Sequence, residues 1–77
     1  MRDKVIKVLE KNLGKTVLAR LKNWRRLRGR LEGFDEHLNL VLRNTEDIND
    51  AANIKKLGSI ILRGDNIVTI LPPNDNS

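Results

Sequence analysis

The 77-residue chain has no cysteine, a single histidine, and only two aromatic residues, Trp24 and Phe34. Without cysteine there is no disulfide, no thiol nucleophile and no thiol redox chemistry, and one histidine leaves a structural zinc site short of ligands. Two aromatics are too few for modules that stack several bases on aromatic side chains, which argues against an RNA-recognition motif or a cold-shock domain. No apolar run approaches the roughly 18 residues of a membrane span. Residues 1–12 mix charge into every turn and lack the apolar segment of a secretory signal. A soluble, intracellular protein with no membrane partner is expected, cytoplasmic, or nuclear in a eukaryotic source. Catalytic constellations are missing too. There is no Gly-rich phosphate loop, the only serines are Ser59 and Ser77, and Asp35 and Glu36 beside His37 read as solvated turn formers. No enzyme activity, cofactor or metal is expected.

What remains is a small basic domain. A chain of this length buries about 60% of the surface it exposes when unfolded, and such a core rarely supplies more than about 3–5 kcal/mol. Oligomerisation is the remaining usual supplement. Fifteen Lys and Arg stand against ten Asp and Glu, for a net charge of +5, and the excess is lopsided. Residues 1–30 hold 11 cations and two acids, whereas residues 31–77 hold four cations and eight acids. The basic half suggests a polyanionic partner, with a solvated basic face as the plain alternative.

Asp3 can cap a helix over residues 3–12 in which Val5, Val8, Leu9 and Leu13 share a face, and Gly14 stands where a left-handed terminator belongs. Beyond Gly14 the apolar period drops to two. Val17, Ala19 and Leu21 define one strand, and Leu27, Gly29, Leu31 and Gly33 a second, with Lys22 to Arg25 as the hairpin loop between them. At Gly33-Phe34 the apolar parity flips, so the chain must bulge or bend, and the two glycines of that strand favour sharp curvature. Leu38, Leu40 and Leu42 mark a third strand, followed by a loop from Asn44 to Asn53. Two final strands, Leu57 to Arg63 and Asn66 to Leu71, precede Pro72-Pro73 and a tail, residues 74–77, expected to be disordered. The predicted fold is one mostly β domain, residues 1–73: a short N-terminal helix and a strongly bent, five-stranded antiparallel sheet forming a small open barrel. The last two strands are apolar on both faces. Either a neighbouring chain covers them, closing a head-to-tail ring, or they pack under the helix.

Two segments carry the chemistry. The first is Gly33-Phe34-Asp35-Glu36-His37-Leu38-Asn39-Leu40-Val41-Leu42, preceded by Arg28-Gly29-Arg30-Leu31-Glu32; the second is Ile61-Leu62-Arg63-Gly64-Asp65-Asn66-Ile67-Val68. In these segments, their order and their spacing, the chain resembles the Sm and Sm-like family, in its archaeal rather than its bacterial form, since the Arg63-Gly64 pair is present. The resemblance covers nearly the whole chain. It implies the Sm fold, a homo-oligomeric ring usually of seven subunits, and binding of single-stranded U-rich RNA at the inner rim in RNA processing or ribonucleoprotein assembly. A ring that scaffolds proteins of an RNA-processing complex, with secondary RNA affinity, is the alternative.

Carried over residue by residue, the resemblance makes His37, Asn39 and Arg63 the base-binding positions, Asp35 a supporting residue and Gly64 the residue that permits the turn, with Asp65 beside them at a variable position. The residue types suit the task. A base can stack between an imidazole and a guanidinium, and Asn39 offers a donor and an acceptor that match uracil once its amide is pinned, which ionised Asp35 can do. Arg63 could instead be a structural residue bonding a neighbouring loop. The first hairpin loop departs from the family, which commonly has Gly where this chain has Asn23-Trp24. Trp24 reads as a packed loop residue, or alternatively as an exposed platform for RNA or protein beside the stripe of Arg26, Arg28 and Arg30.

Overall fold

The computed structural model describes residues 2–71; Pro72, Pro73 and the tail lie outside the described residues. Helix α1 (Arg2–Lys11) ends where Asn12 folds back, its backbone N–H donating to Leu9 O at 3.0 Å and its side-chain amide to Val8 O at 2.8 Å. Gly14, at φ 80°, then turns the chain into the sheet in a conformation that favours glycine. Of the expected apolar helix face, only Leu9 is buried; Val5, Val8 and Leu13 stay more than two-fifths exposed. This helix contributes one anchor to the core rather than a full face.

Strands β1 (Thr16–Leu21), β2 (Arg26–Phe34), β3 (Leu40–Asp47), β4 (Lys55–Leu62) and β5 (Ile67–Leu71) form one antiparallel sheet in the order β4-β3-β2-β1-β5. The core is aliphatic: Leu9, Val17, Ala19, Leu27, Leu31, Leu40, Leu42 and Leu62. Alternation in β1 and β2 follows the period-two reading, with Val17, Ala19, Leu27, Gly29 and Leu31 inward. The expected bend is built from shifts in register. Leu31 pairs with Leu42 but Gly33 with Val41, so Glu32 is the extra residue of a bulge that flips the parity before Phe34. A Cβ at Gly29 would lie 3.0 Å from Thr45 Oγ1 and 3.2 Å from Leu42 Cβ, so the missing side chain lets β3 close down on β2.

Asp3 lies in the first turn of α1 rather than capping it, and three further expectations need correction. Leu38 is not in the third strand: it sits in the preceding turn at φ 62°, and β3 starts at Leu40. The segment from Asn44 is not all loop, because β3 runs on to Asp47. Asn44, at φ 52°, is a second bulge that flips the parity back, so Thr45 and Asp47 point inward where the eye expects apolar residues. Asp47 is tolerated there because the Arg25 guanidinium pairs with it at 2.5 Å and the Asn49 N–H donates to it at 3.1 Å. Those contacts, with Lys55 nearby, hold its carboxyl below the usual range. Trp24 is not packed; it is 75% exposed, on the turn between β1 and β2.

The outer strands keep two apolar faces. Ile60, Ile67 and Ile70 pack on the core, while Ile61 is 71% exposed and Val68 and Leu71 about half exposed. Packing under the helix accounts for part of this surface only: α1 and β5 flank an open apolar cleft of about 390 Å³ lined by Val5, Val8, Leu9, Ile67, Val68 and Ile70. β4 and β5 are the two sheet edges, each pairing on one side only among the described residues. No described helix is long and apolar enough to cross a membrane.

Candidate nucleic-acid interface

The β2–β3 turn and the β4–β5 turn meet. In the first, Asp35 organises the backbone: its Oδ1 accepts from the N–H groups of His37 at 2.9 Å and Asn39 at 3.0 Å, and the chain closes with Asp35 N–H to Asn39 O at 3.1 Å. This Asx-type turn is what a short carboxylate at its first position provides. Leu38 takes its left-handed conformation inside it.

Asn39 joins the two turns. Its Nδ2 donates to Asp35 Oδ2 at 2.9 Å, and its Oδ1 accepts the backbone N–H of Gly64 at 2.9 Å. The amide is therefore tethered at both ends and cannot rotate. One N–H and one lone pair remain unspent. The Asp35 carboxyl is held below its ordinary range, chiefly by the Asn39 side-chain amide, then by the Asn39 backbone N–H, with a smaller contribution from His37.

Gly64 makes the meeting possible. A Cβ there would stand 2.6 Å from His37 O and 2.8 Å from Leu38 O, backbone atoms with nowhere to go. Gly64–Asn66 form a short 3-10 turn that returns the chain into β5. Arg63 is 74% exposed, and its guanidinium bonds Asp65 two residues on at 3.1 Å rather than a neighbouring loop. His37 is 72% exposed, its Nε2 3.6 Å from a Glu36 carboxylate oxygen. A fixed amide thus lies between the two turns that present an imidazole and a guanidinium, an arrangement suited to a planar heterocycle with adjacent donor and acceptor. No group of three or more metal-ligating side chains occurs among the described residues.

The six residues singled out from the sequence all fall on these two turns. Sequence reasoning missed the Gly64 N–H, a backbone donor that no residue type announces. Arg25, Arg28, Arg30 and Arg43 pair with Asp47, Glu46 and Glu32 along the sheet.

Residues 7–72 match the family model of the LSM domain. The chain belongs to the Sm-like family. Among Sm-like relatives, the snRNP Sm-like protein of Pyrococcus furiosus is 43% identical over 75 residues, 97% of this chain and 99% of the relative. That of Methanosarcina barkeri is 40% identical over 72 residues, covering 94% of this chain and all of the relative. Solved Sm structures superpose over most of the chain. A heptameric archaeal Sm protein gives a TM-score of 0.82 at 38% identity, covering 88% of this chain and 98% of its own. The Pyrococcus abyssi Sm protein, solved in complex with a uridine heptamer, gives 0.82 at 44% identity over 88% and 96% of the two chains. The Sm fold, a helix followed by a bent five-stranded sheet, is thus the fold of this chain.

Proposed function

We propose that this Sm-like chain assembles as a homo-oligomeric ring, a heptamer, and binds single-stranded uridine-rich RNA at the inner rim, one nucleotide per subunit, in RNA processing or ribonucleoprotein assembly. The observation that carries the reading is the doubly tethered amide of Asn39. With Nδ2 committed to Asp35 and Oδ1 to Gly64, its spare donor and acceptor suit the O4 acceptor and N3–H donor of uracil, while cytosine would require the amide to turn over and break both tethers. His37 and Arg63 supply the stacking surfaces, Asp65 restrains Arg63, Asp35 is the positioning residue and Gly64 keeps the turns in contact. The uridine heptamer bound by the P. abyssi relative supports the choice of base.

The unpaired edges of β4 and β5, with Ile61 and Val68 uncovered, support the ring: a neighbour's β4 added to β5 pairs both edges and covers apolar surface in one contact. The heptameric relatives support its size. No catalytic step belongs to this reading, and the place of action is the cytoplasm. Two measurements test it. Native mass with and without oligo(U) should give seven chains; a folded monomer at micromolar concentration overturns the ring. Fluorescence anisotropy should show the Asn39→Ala, Arg63→Ala double variant losing oligo(U) affinity by about 30-fold or more, from one stacking contact and one base-edge contact. Unchanged binding in the double variant overturns the pocket, and no binding by the wild type favours the protein scaffold.

A further inference from the structure

Trp24 is the largest exposed apolar side chain of the described residues, and its placement is costly. It adopts φ 67°, a left-handed conformation that a bulky residue rarely takes. The turn enforces it: Trp24 N–H donates to Leu21 O at 3.0 Å, Leu21 N–H to Arg25 O at 2.8 Å, and Asn23 Oδ1 accepts the Arg25 N–H at 3.1 Å. The indole is therefore presented on a rigid support. The Arg20 guanidinium lies 5.2 Å from the ring centroid, and the exposure of Trp24 leaves the remaining ring surface to solvent.

The charges beside it are arranged differently from those elsewhere on the sheet. The strand register sets Arg20 directly opposite Arg26, a like-charge cross-strand pair that opposes folding. Neither has an acidic partner within 4.0 Å among the described residues, nor has Lys22, whereas Arg25, Arg28, Arg30, Arg43 and Arg63 each have one. Leu18, Arg20, Trp24, Arg26, Thr69 and Leu71 enclose a shallow cleft of about 350 Å³, apolar at one end and cationic at the other. An aromatic plate, an apolar floor and two uncompensated guanidinium groups match an unpaired base attached to a phosphate. The turn is also bonded to the interface already described: Lys22 N–H donates at 2.9 Å to Asn66 O, in the 3-10 turn that follows Arg63.

We propose that Trp24, Arg20 and Arg26 form a second contact for single-stranded RNA, taking a nucleotide that flanks the segment held at Asn39. The proposal rests on the RNA-binding reading above. A stacked base occupies the indole, its phosphate relieves the Arg20–Arg26 repulsion, and the site reads backbone and ring face with no base preference. Because β1 and β2 lie inside the edge strand β5, adding a neighbouring strand to β5 leaves their outer face open.

Trp24 is the chain's one tryptophan and there is no tyrosine, so its emission reports the site directly. The assembled protein is titrated with a uridine heptamer and with a strand in which the same heptamer is flanked by adenine tracts. Quenching of Trp24 is expected with the flanked strand and not with the heptamer. Trp24→Ala should cost about fivefold or more in affinity for the flanked strand, the lower bound of base stacking, and leave heptamer affinity unchanged. Arg20→Gln, Arg26→Gln should flatten the salt dependence of flanked-strand binding by about 1.4 in log–log slope, two lost phosphate contacts on a single strand. If the heptamer binds while Trp24 stays silent to the flanked strand and Trp24→Ala binds it as well as wild type, the second contact is overturned and the Asn39 pocket stands. If neither strand binds, the RNA reading itself fails. Emission that shifts with dilution of the protein alone assigns this face to a second copy of the chain and overturns the RNA assignment.

Discussion

β2 separates two displays of opposite character: the Trp24 turn precedes its first residue, Arg26, and the Asp35 turn follows its last, Phe34. At the Asp35 end the polar groups serve one another. Asp35 spends its carboxylate on two backbone N–H groups and an amide, Asn39 spends both ends of that amide, and Arg63 is restrained by Asp65. At the Trp24 end, Arg20 and Arg26 face each other across the strands without acids, and an indole stands in solvent. The difference teaches where selectivity and attraction can reside. A base edge is discriminated by a neutral group that cannot rotate, which requires spent hydrogen bonds; a backbone phosphate is attracted by charge that is not yet spent.

The comparison breaks most severely at Gly64. Gly64→Ala forces a methyl group against the carbonyls of His37 and Leu38, so the turns must part and the tether to Asn39 must lengthen. Oligo(U) affinity should fall at least about tenfold, and stability by about 1–3 kcal/mol as for other overpacked sites, read by anisotropy and thermal denaturation. Native-like binding and melting in this variant would show that the two turns need no close contact.

Asp35→Ala sharpens the comparison at an intermediate level. With the Nδ2 tether gone, the amide can turn over, and the ratio of oligo(U) to oligo(C) affinity should drop about fivefold, the worth of one hydrogen bond. An unchanged ratio removes Asp35 from the selection of the base. Acid should act in the same way. Because the carboxyl of Asp35 is held below its ordinary value of 3.8, the interactions of its ionised form are fully present above that value and are lost as pH falls through the lower, folded-state value. The base preference should therefore be flat from neutrality to about pH 4 and decline below it. A decline centred near neutral pH would remove Asp35 from the selection of the base.

The smallest effect is expected at the other end of β2. Arg20→Gln, Arg26→Gln removes a like-charge pair, so the melting temperature should hold or rise by a few degrees, a change of a few tenths of a kcal/mol. A clear fall would mean that the two arginines stabilise the sheet rather than wait for an anion.

Much of this was legible from residues alone because strands with one buried face advertise themselves by alternation. Val17, Ala19, Leu27 and Leu31 point inward as read, and the parity flip before Phe34 marked a real bulge. The reading failed where polar residues are buried. Thr45 and Asp47 carry β3 onward after the Asn44 bulge, but burial of a carboxylate is intelligible only once Arg25, 22 residues away, is seen beside it. Leu38 misled in the opposite sense: an apolar residue in step with Leu40 and Leu42 that nonetheless sits in a turn, because Asp35 dictates the backbone there. Of the two readings of Trp24, the packed one fails: large aromatics usually bury, and nothing local says that the Leu21–Arg25 hydrogen bonds point this one outward.

Sequence by itself determined the family, the helix-then-strands order, the curvature and the residue types of the interface, since each depends on periodicity, glycine placement or contiguous motifs. Tertiary structure decided what depends on approach between distant segments. Gly64 and Asn39 are 25 residues apart and meet only because the sheet folds over and glycine leaves room, fixing the amide that the motif merely supplies. The same closure sorted the arginines, pairing those that face Asp47, Glu46 and Glu32 and leaving Arg20 and Arg26 opposite each other, because a charge is satisfied by its neighbours in space and not by those in the chain.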